Sequence, residues 1–530
     1  MADLEVIFGP PGTGKTTELG RIVGQCVTED GSDSVVLCAF TKSAARELAG
    51  RDLGIPDGHI GTLHSLCYHA LDTPPIAETT WKAWNEAYPV YEMSDDNAID
   101  INEGGGQQRL PGDIALAEVN LLRQQMIPAT AWPEYAQVFH HKWTDWKTQH
   151  HAIDFTDMID HARQVVPIAP GHPQTLIVDE AQDLSLLQWD LLTRWARHVT
   201  RWIAAGDDDQ ALYNWCGGTF EPLLAAPSRR VLPQSYRVPF RIQQHAKRYT
   251  NGITHRESKT WAARPTAGIC EAIWGRWRDG DAWIAQIQEW LTTTQDTVAI
   301  LAPCSFMLTP TIRGLRAAGI PFSNRWRRRR RDWNPLHPPR RGVSTSQRLR
   351  DFLRPTDRLW TWQELSTWLP LIRTDGVLHH GAKARIALHA DKTGVCTLAD
   401  LAELLLPDAI DGALHDGLGW FEYQVLQSKA KSVAYPLRVL QRYNRNALSE
   451  EPRVSIGTAH SLKGGEADRV IFYTELSKAQ QLALREGGSV TDDILRMLYV
   501  GSTRARHELY AVRETEENLP LGTMMHRESF

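Results

Sequence analysis

Short apolar runs punctuate the first half of the chain. These are LEVIF (4–8), SVVLCAF (34–40), the brief HIGT (59–62), TLIVDEA (175–181), RWIAAGD (201–207) and RRVLPQS (229–235). Such runs, lacking polar alternation, read as strands buried on both faces, as in a parallel sheet. Between them, TTELGRIVGQCV (16–27) and SLLQWDLLTRWARHV (185–199) carry apolar residues at helical spacing. Strand and helix therefore alternate over 1–75 and 151–235. The interval 76–150 lacks apolar strand runs and is broken at Gly104–Gly106, so it reads as a helical insertion. A second alternating block follows: TVAILAP (297–303), IRGLRAAG (312–319), IPFS (320–323), RVSIGTAHSL (453–462), RVIFYTEL (469–476), DILRMLYVGSTRARH (493–507) and ELYAVRE (508–514). It spans 236–322 and 449–530, and residues 323–448 form a second insertion. The pattern predicts an α/β protein with two parallel-sheet domains, each carrying a mostly helical insertion; no internal repeat is visible, though the two could be diverged copies of one fold.

Composition narrows the class. The chain has 530 residues, 42% of them hydrophobic, and a formal net charge of −5. A globular, cytoplasmic protein is expected, because no run of about 18 apolar residues occurs and no secretory leader precedes the first strand. The seven cysteines are scattered without a C-x-x-C pair, which argues against a zinc site or disulfide framework. Most of the 20 tryptophans read as core packing. Nucleic-acid binding by a net acidic chain requires a local basic patch.

The candidate chemistry begins at FGPPGTGKTT (8–17), where Gly9, Gly14, Lys15 and Thr16 fill G-x-x-x-x-G-K-[ST]. Placed between a strand and a helix, this is a phosphate-binding loop. Backbone N–H groups of Gly9, Pro10, Pro11, Gly12, Thr13, Gly14, Lys15, Thr16 and Thr17 (the prolines supplying only shape) would surround phosphate oxygens. Lys15 would reach the β- and γ-phosphates, and Thr16 would hold Mg²⁺. TLIVDEAQD then sets Asp179 and Glu180 at the carboxyl end of a strand. Asp179 is the expected second Mg²⁺ ligand and Glu180 the base that orients and deprotonates water.

Six further stretches fall in order: CAFTKSAAREL (38–48), IGTLHSL (60–66), AAGDDDQALYNWCGG (204–218), LPQSYR (232–237), IGTAHSLKGGEAD (456–468) and LYVGSTRAR (498–506). With the first two they resemble the motifs of the UvrD/Rep helicases, superfamily 1 DNA translocases, over roughly three-fifths of the chain. The resemblance implies two RecA-like domains with ATP and Mg²⁺ in the cleft between them. It implies that Gln210 senses the γ-phosphate, that Arg237 and Arg504 reach it from the second domain, that Tyr236 stacks on adenine, and that Glu466 approaches the ribose. It implies that Trp215 stacks on a base of single-stranded DNA, with Phe40, Thr41, His64, Thr458 and His460 contacting the same strand. The expected activity is ATP-driven 3′-to-5′ translocation and unwinding, with single-stranded and tailed duplex DNA as partners. A DNA-stimulated ATPase that regulates or loads without strand separation is the alternative, since the second insertion is short for a full accessory domain. A helicase–nuclease fusion is not expected from the short stretch that follows ELYAVRE.

Two departures stand out. Only eight residues precede Gly9, so the family's upstream adenine-reading Gln motif has no counterpart, and Thr17 replaces a common arginine. Weak discrimination between ATP and GTP is expected. The loop sequence GPPGTGKT also occurs in the 5′-to-3′ branch of the superfamily, whereas DEAQD, GDDDQALYNW and TAHSLKGGE favour the 3′-to-5′ one. Finally, 325–358 holds twelve arginines against three aspartates, with Trp326 and Trp333 interleaved. This run reads as a DNA-phosphate contact, or else as a solvated linker or a dock for an acidic partner.

Overall fold

The computed structural model describes residues 2–40, 45, 48, 50–51, 53–94, 110–324, 327, 330–337, 342–353, 357–389 and 391–513. Two six-stranded, wholly parallel sheets organise them, as RecA-like α/β units do. The first contains β1 (Leu4–Phe8), β2 (Val35–Ala39), β3 (Ile60–Thr62), β4 (Thr175–Asp179), β5 (Arg201–Gly206) and β6 (Ser228–Val231), in the order β3-β2-β4-β5-β1-β6. After a two-stranded pair, β7 (Gln234–Pro239) and β8 (Ala262–Arg264), comes the second sheet. Its strands are β9 (Ile269–Trp274), β10 (Val298–Ala302), β11 (Phe322–Ser323), β12 (Val454–Thr458), β13 (Ala467–Tyr473) and β14 (Ala505–Arg513), in the order β11-β12-β10-β13-β14-β9.

The unbroken apolar runs are explained by what covers the sheets. In β1, Val6 and Phe8 enter one core and Ile7 the other; in β4, Leu176 and Val178 part from Ile177 in the same way. Each face is packed, so period-2 alternation is lost. The second sheet repeats this, with Val298, Ile300 and Ala302 on one side and Ala299 and Leu301 on the other.

The two insertions differ in how they are attached. The first builds its own core around Trp84, Phe139, Trp143 and Trp146. It is tied to the helix Phe155–Val165 by buried ion pairs: Lys147 and Arg123 reach Asp154 at 2.5 and 3.0 Å. The second insertion shares one continuous core with a face of the second sheet, through Trp333, Trp360, Trp368 and Phe421. Trp333 is fully buried, with the Arg330 guanidinium 4.0 Å from its ring centroid. That corrects its reading as an aromatic interleaved for nucleic acid, because a ring sealed in the core cannot stack on a base. Trp326 lies outside the described residues. Among the described residues no helix is long and apolar enough to cross a membrane.

Candidate nucleotide and nucleic-acid site

Strands β4, β5 and β1 are neighbours, so TLIVDEAQD, GDDDQ and the phosphate loop leave the sheet side by side. The loop is held to its neighbour by the Gly9 N–H on the Gly206 carbonyl (2.9 Å). Thr13 is buried and its hydroxyl donates to the Pro10 carbonyl at 2.8 Å. Gly14, at φ 80°, turns the chain into the helix Lys15–Asp30. A Cβ at Gly9 would sit 1.8 Å from Lys15 Cγ, and one at Gly12 (φ 71°) 2.2 Å from Arg237 Cβ. The backbone thus comes closer than side chains permit, as a phosphate cradle requires.

The Lys15 ammonium donates to the Gly9 carbonyl (3.0 Å) and lies 3.5 Å from Glu180. Asp179 is buried, and its carboxylate accepts the Glu180 N–H at 2.9 Å. Thr16 is half-buried in the first turn of the helix, and Thr17 is exposed, its hydroxyl accepting from Arg51 at 3.2 Å. Among the described residues no group of three or more His, Cys, Asp or Glu could cage a metal. One hydroxyl and one carboxylate suit Mg²⁺ that takes its remaining ligands from phosphates and water.

Glu180 has φ 54°, in the left-handed region that a non-glycine residue enters at a cost. Burial would raise its carboxyl. The Lys15 and Lys463 charges and a hydrogen bond from Gln182 outweigh that and hold it down at about 2. Gln182 donates to Glu180 at 2.7 Å, while its Oε1 accepts the Asp207 N–H at 3.0 Å. Asp207 accepts from the Gln210 amide at 2.7 Å, and Gln210 Oε1 accepts from Arg504 at 2.9 Å. A hydrogen-bonded path therefore runs from Glu180 to an arginine of the second unit. Burial, with Arg237 nearby, pulls Arg504 down to about 9. Arg237 is paired with Glu466 at 2.5 Å, and Arg506 reaches the same carboxylate at 3.4 Å. Tyr236 is 72% exposed, and its N–H donates to the Gly12 carbonyl at 2.8 Å. The Ser235 hydroxyl donates to the Pro11 carbonyl at 2.7 Å.

The DNA-facing candidates divide. Phe40 and Trp215 are both half-buried and meet through Tyr213, their rings 5.4 and 6.4 Å from its centroid. Thr458 is buried, and its hydroxyl accepts the Ser461 N–H at 3.2 Å. His460 is half-buried; burial and the nearby Lys463 and Arg327 charges lower it to about 4. His64 is edge-on to Phe155 at 6.3 Å. Thr41 lies outside the described residues.

Several residues of this network were not singled out from sequence. Lys463, inside TAHSLKGGE, bonds Asp183 and the Gln210 carbonyl (2.7 Å) and stands 5.3 Å from the Tyr213 centroid. Asp183, buried, is pushed up to about 6, with Lys463 opposing that rise. The three aspartates of GDDDQ are buried around Lys259, with Asp207 and Asp209 each 3.0 Å away and Asp208 also bonded. Arg256 forks onto Asp209 at 2.7 and 2.6 Å, and Arg496 donates to the Asp208 carbonyl at 2.8 Å. The available signal was the triplet itself, since three adjacent buried carboxylates require counter-charges. Which cations supply them could not be read locally.

Residues 1–215 match the family model described as "AAA domain". The chain is 24% identical over 300 residues to the ATP-dependent DNA helicase PcrA of Bacillus subtilis (strain 168), covering 50% of this chain and 40% of that one. It is 22% identical over 239 residues to the putative ATP-dependent DNA helicase YjcD of the same organism, covering 40% of this chain and 31% of that one. The chain thus spans less than half the length of these curated relatives.

Proposed function

From the premise that the chain is related to the UvrD/Rep-like superfamily 1 helicases, we propose that it is an ATP-driven translocase on single-stranded DNA. It moves 3′ to 5′ and unwinds tailed duplexes. The observation that carries this reading is the 2.9 Å bond from Arg504 of the second unit to Gln210, five residues before Trp215 in the first. One short segment then meets the nucleotide machinery at one end and an aromatic cluster at the other.

On this reading 1–75 with 151–235 and 236–322 with 449–530 are the two motor domains, and 76–150 and 323–448 are their insertions. Lys15 neutralises the β- and γ-phosphates. Thr16 and Asp179 would hold Mg²⁺, which would supply charge stabilisation to the phosphoryl group. Glu180, ionised at neutral pH, orients the attacking water and accepts its proton. Arg504 and Arg237 leave Gln210 and Glu466 for the γ-phosphate, drawing the second domain toward the first. Tyr236 supplies an exposed ring for the nucleobase and Glu466 faces the ribose. Phe40, His64, Trp215, Thr458 and His460 line the strand path, where base stacking tolerates any sequence.

A strand-displacement assay on duplexes with a 3′ or a 5′ single-stranded tail tests it, with Glu180→Gln as control. ATP-dependent displacement of the 3′-tailed duplex alone, lost in Glu180→Gln with nucleotide binding retained, is the expected result. DNA-stimulated hydrolysis without displacement from either duplex would replace unwinding by the regulatory or loading role. Hydrolysis indifferent to DNA would end the translocase reading.

A further inference from the structure

The segment between the helix Phe240–Thr250 and β8 is fastened to the second unit. Thr254 and His255 donate their N–H groups to Asp492 at 3.0 and 3.1 Å, and Gln243 donates to the Trp261 carbonyl at 2.7 Å. Its lysine reaches the other way. The Lys259 side chain is fully buried among Asp207, Asp208 and Asp209, just beyond β5, with its ammonium 5.4 Å from the Phe8 ring centroid. Burial would lower that ammonium, but the three carboxylates outweigh burial and keep it charged. The Asp207 carboxylate has two sides. Its Oδ1 accepts from Lys259 at 3.0 Å and from the Asp209 N–H at 3.2 Å, and its Oδ2 accepts from the Gln210 amide at 2.7 Å. Gln210 Oε1 in turn accepts from Arg504 at 2.9 Å. The second unit therefore addresses Gln210 at both ends, directly through Arg504 and indirectly through Lys259 and Asp207.

A glutamine amide set between an acceptor and a donor has one orientation. Nε2 must face the carboxylate and Oε1 the guanidinium. That choice lasts while the carboxyl beside Gln210 is ionised. A protonated carboxyl would donate instead, and the amide would turn its Oε1 inward and set its NH2 group against Arg504. Three successive buried carboxylates invite such a proton. Among the described residues their paired cations are Lys259 and Arg256, and Arg256 pairs with Asp209. Arg496 donates to the Asp208 carbonyl, Arg504 lies beyond Gln210, and Tyr499, kept neutral by burial, faces Asp207 and Asp209. Burial pushes Asp208 up to about 6 even with Lys259 opposing that rise. The charge that keeps the side facing Gln210 an acceptor is that of Lys259.

We infer that Lys259 is a positioning residue for hydrolysis: paired with Asp207, it holds the Gln210 amide with Oε1 turned toward Arg504 and the γ-phosphate that Arg504 would reach. This rests on the reading of Gln210 given above and deepens it. When Arg504 leaves for the γ-phosphate, the freed Oε1 accepts a hydrogen bond from the attacking water. An amide turned the other way would offer that water only N–H groups.

The test uses the full chain with ATP, Mg²⁺ and oligo-dT. It reads kcat and KM against pH in Lys259→Met, Lys259→Arg, Gln210→Ala and Lys259→Met/Gln210→Ala, with thermal melts to check folding. Lys259→Met should lower kcat about tenfold or more at neutral pH, while KM for ATP stays within about twofold. Its acidic limb should lie about one to three pH units above that of the unmodified chain, because a triplet left with Arg256 takes up its proton at higher pH. Lys259→Arg keeps the charge and should keep the unmodified limb. In the Gln210→Ala background, Lys259→Met should change kcat no further. A folded Lys259→Met with unmodified kcat overturns the inference. So does a loss of kcat that is equal at every pH, or one that persists in full without Gln210. If Lys259→Met does not fold, Lys259→Met/Asp208→Asn, which preserves the net charge of the buried cluster, decides by the same readouts. Unmodified kcat in Gln210→Ala would instead remove the reading of Gln210, and this inference with it.

Discussion

The turns at 61–66 and 457–462 read GTLHSL and GTAHSL, and each ends a parallel strand. Their backbones are built alike. The Ser65 N–H donates to the Thr62 hydroxyl at 3.2 Å and the Ser65 hydroxyl to the Thr62 carbonyl at 2.8 Å; for Ser461 and Thr458 the distances are 3.2 and 2.9 Å. Their surroundings are not alike. β3 is an edge strand, so His64 meets only the helix that starts at Phe155 among the ring contacts described. β12 is covered by β11, and the chain leaving β11 lays Asn324 across the turn and brings Arg327 to His460. The next residue differs too: Cys67 is a buried thiol, whereas Lys463 is a cation joining both units. At the second turn the added strand brings Arg327, and the next residue brings Lys463, beside His460. The turn supplies position, and the neighbours supply charge.

Changing the residue after each turn should separate the two copies most. Lys463→Ala leaves the buried Asp183 without its cation and should cost about 3–5 kcal/mol. Cys67→Ala only trims a small buried side chain and should cost roughly 1 kcal/mol. Urea midpoints of the two variants measure this, and equal losses would mean that the Lys463 bridge carries no weight.

The leading glycines come next. A Cβ at Gly61 meets only the movable Ser65 hydroxyl within 3.4 Å, at 2.4 Å. At Gly457 it meets Ser461 Oγ at 2.2 Å, Asn324 Nδ2 at 2.4 Å and Leu462 Cδ1 at 2.6 Å. Overpacking of about 1 kcal/mol is expected for Gly61→Ala and about 3 kcal/mol for Gly457→Ala. A milder Gly457→Ala would show that Asn324 yields easily.

Acid titration sharpens the electrostatic difference. His460 is held near 4 in the folded chain against 6.5 for an ordinary histidine. Between those values the unfolded chain binds the proton more readily. The stability due to neutral His460 is full above pH 6.5 and fades as pH falls toward 4, on the order of 3 kcal/mol. His460→Gln should remove that fall, read as the difference between two stability–pH curves. Parallel curves would place His460 in water.

The smallest effect should be a shared one. Thr62→Ala and Thr458→Ala each delete a hydroxyl acceptor of the same geometry and should each cost about 1 kcal/mol. Losses differing by more than that would break the equivalence of the two backbones.

Local sequence carried much of the fold and the nearness of the candidate nucleotide-site residues. The runs around Val6, Ile177 and Ile300 are long and unalternating because both faces of each strand are packed, so strand identity was plain in one dimension. The proximity of Lys15, Asp179 and Glu180 was legible because a phosphate-loop pattern and an acidic strand end each have a recognisable spacing. Contacts between distant segments were not. Nothing near Asn324 announces that its amide will reach Ile456, or that Lys259 will serve the aspartates at 207–209. Composition also misled at Trp333, since an aromatic among arginines looks like a base platform until the core claims it.

The left-handed backbone at Glu180 has a consequence for how this chain could drift. Glycine would relieve about 1 kcal/mol or more of local strain there. Selection for a firmer fold alone would therefore favour discarding the carboxylate, and only a requirement for turnover would oppose it. A laboratory population bred solely for heat resistance should fix changes at position 180 early, and hydrolysis should vanish before the fold weakens.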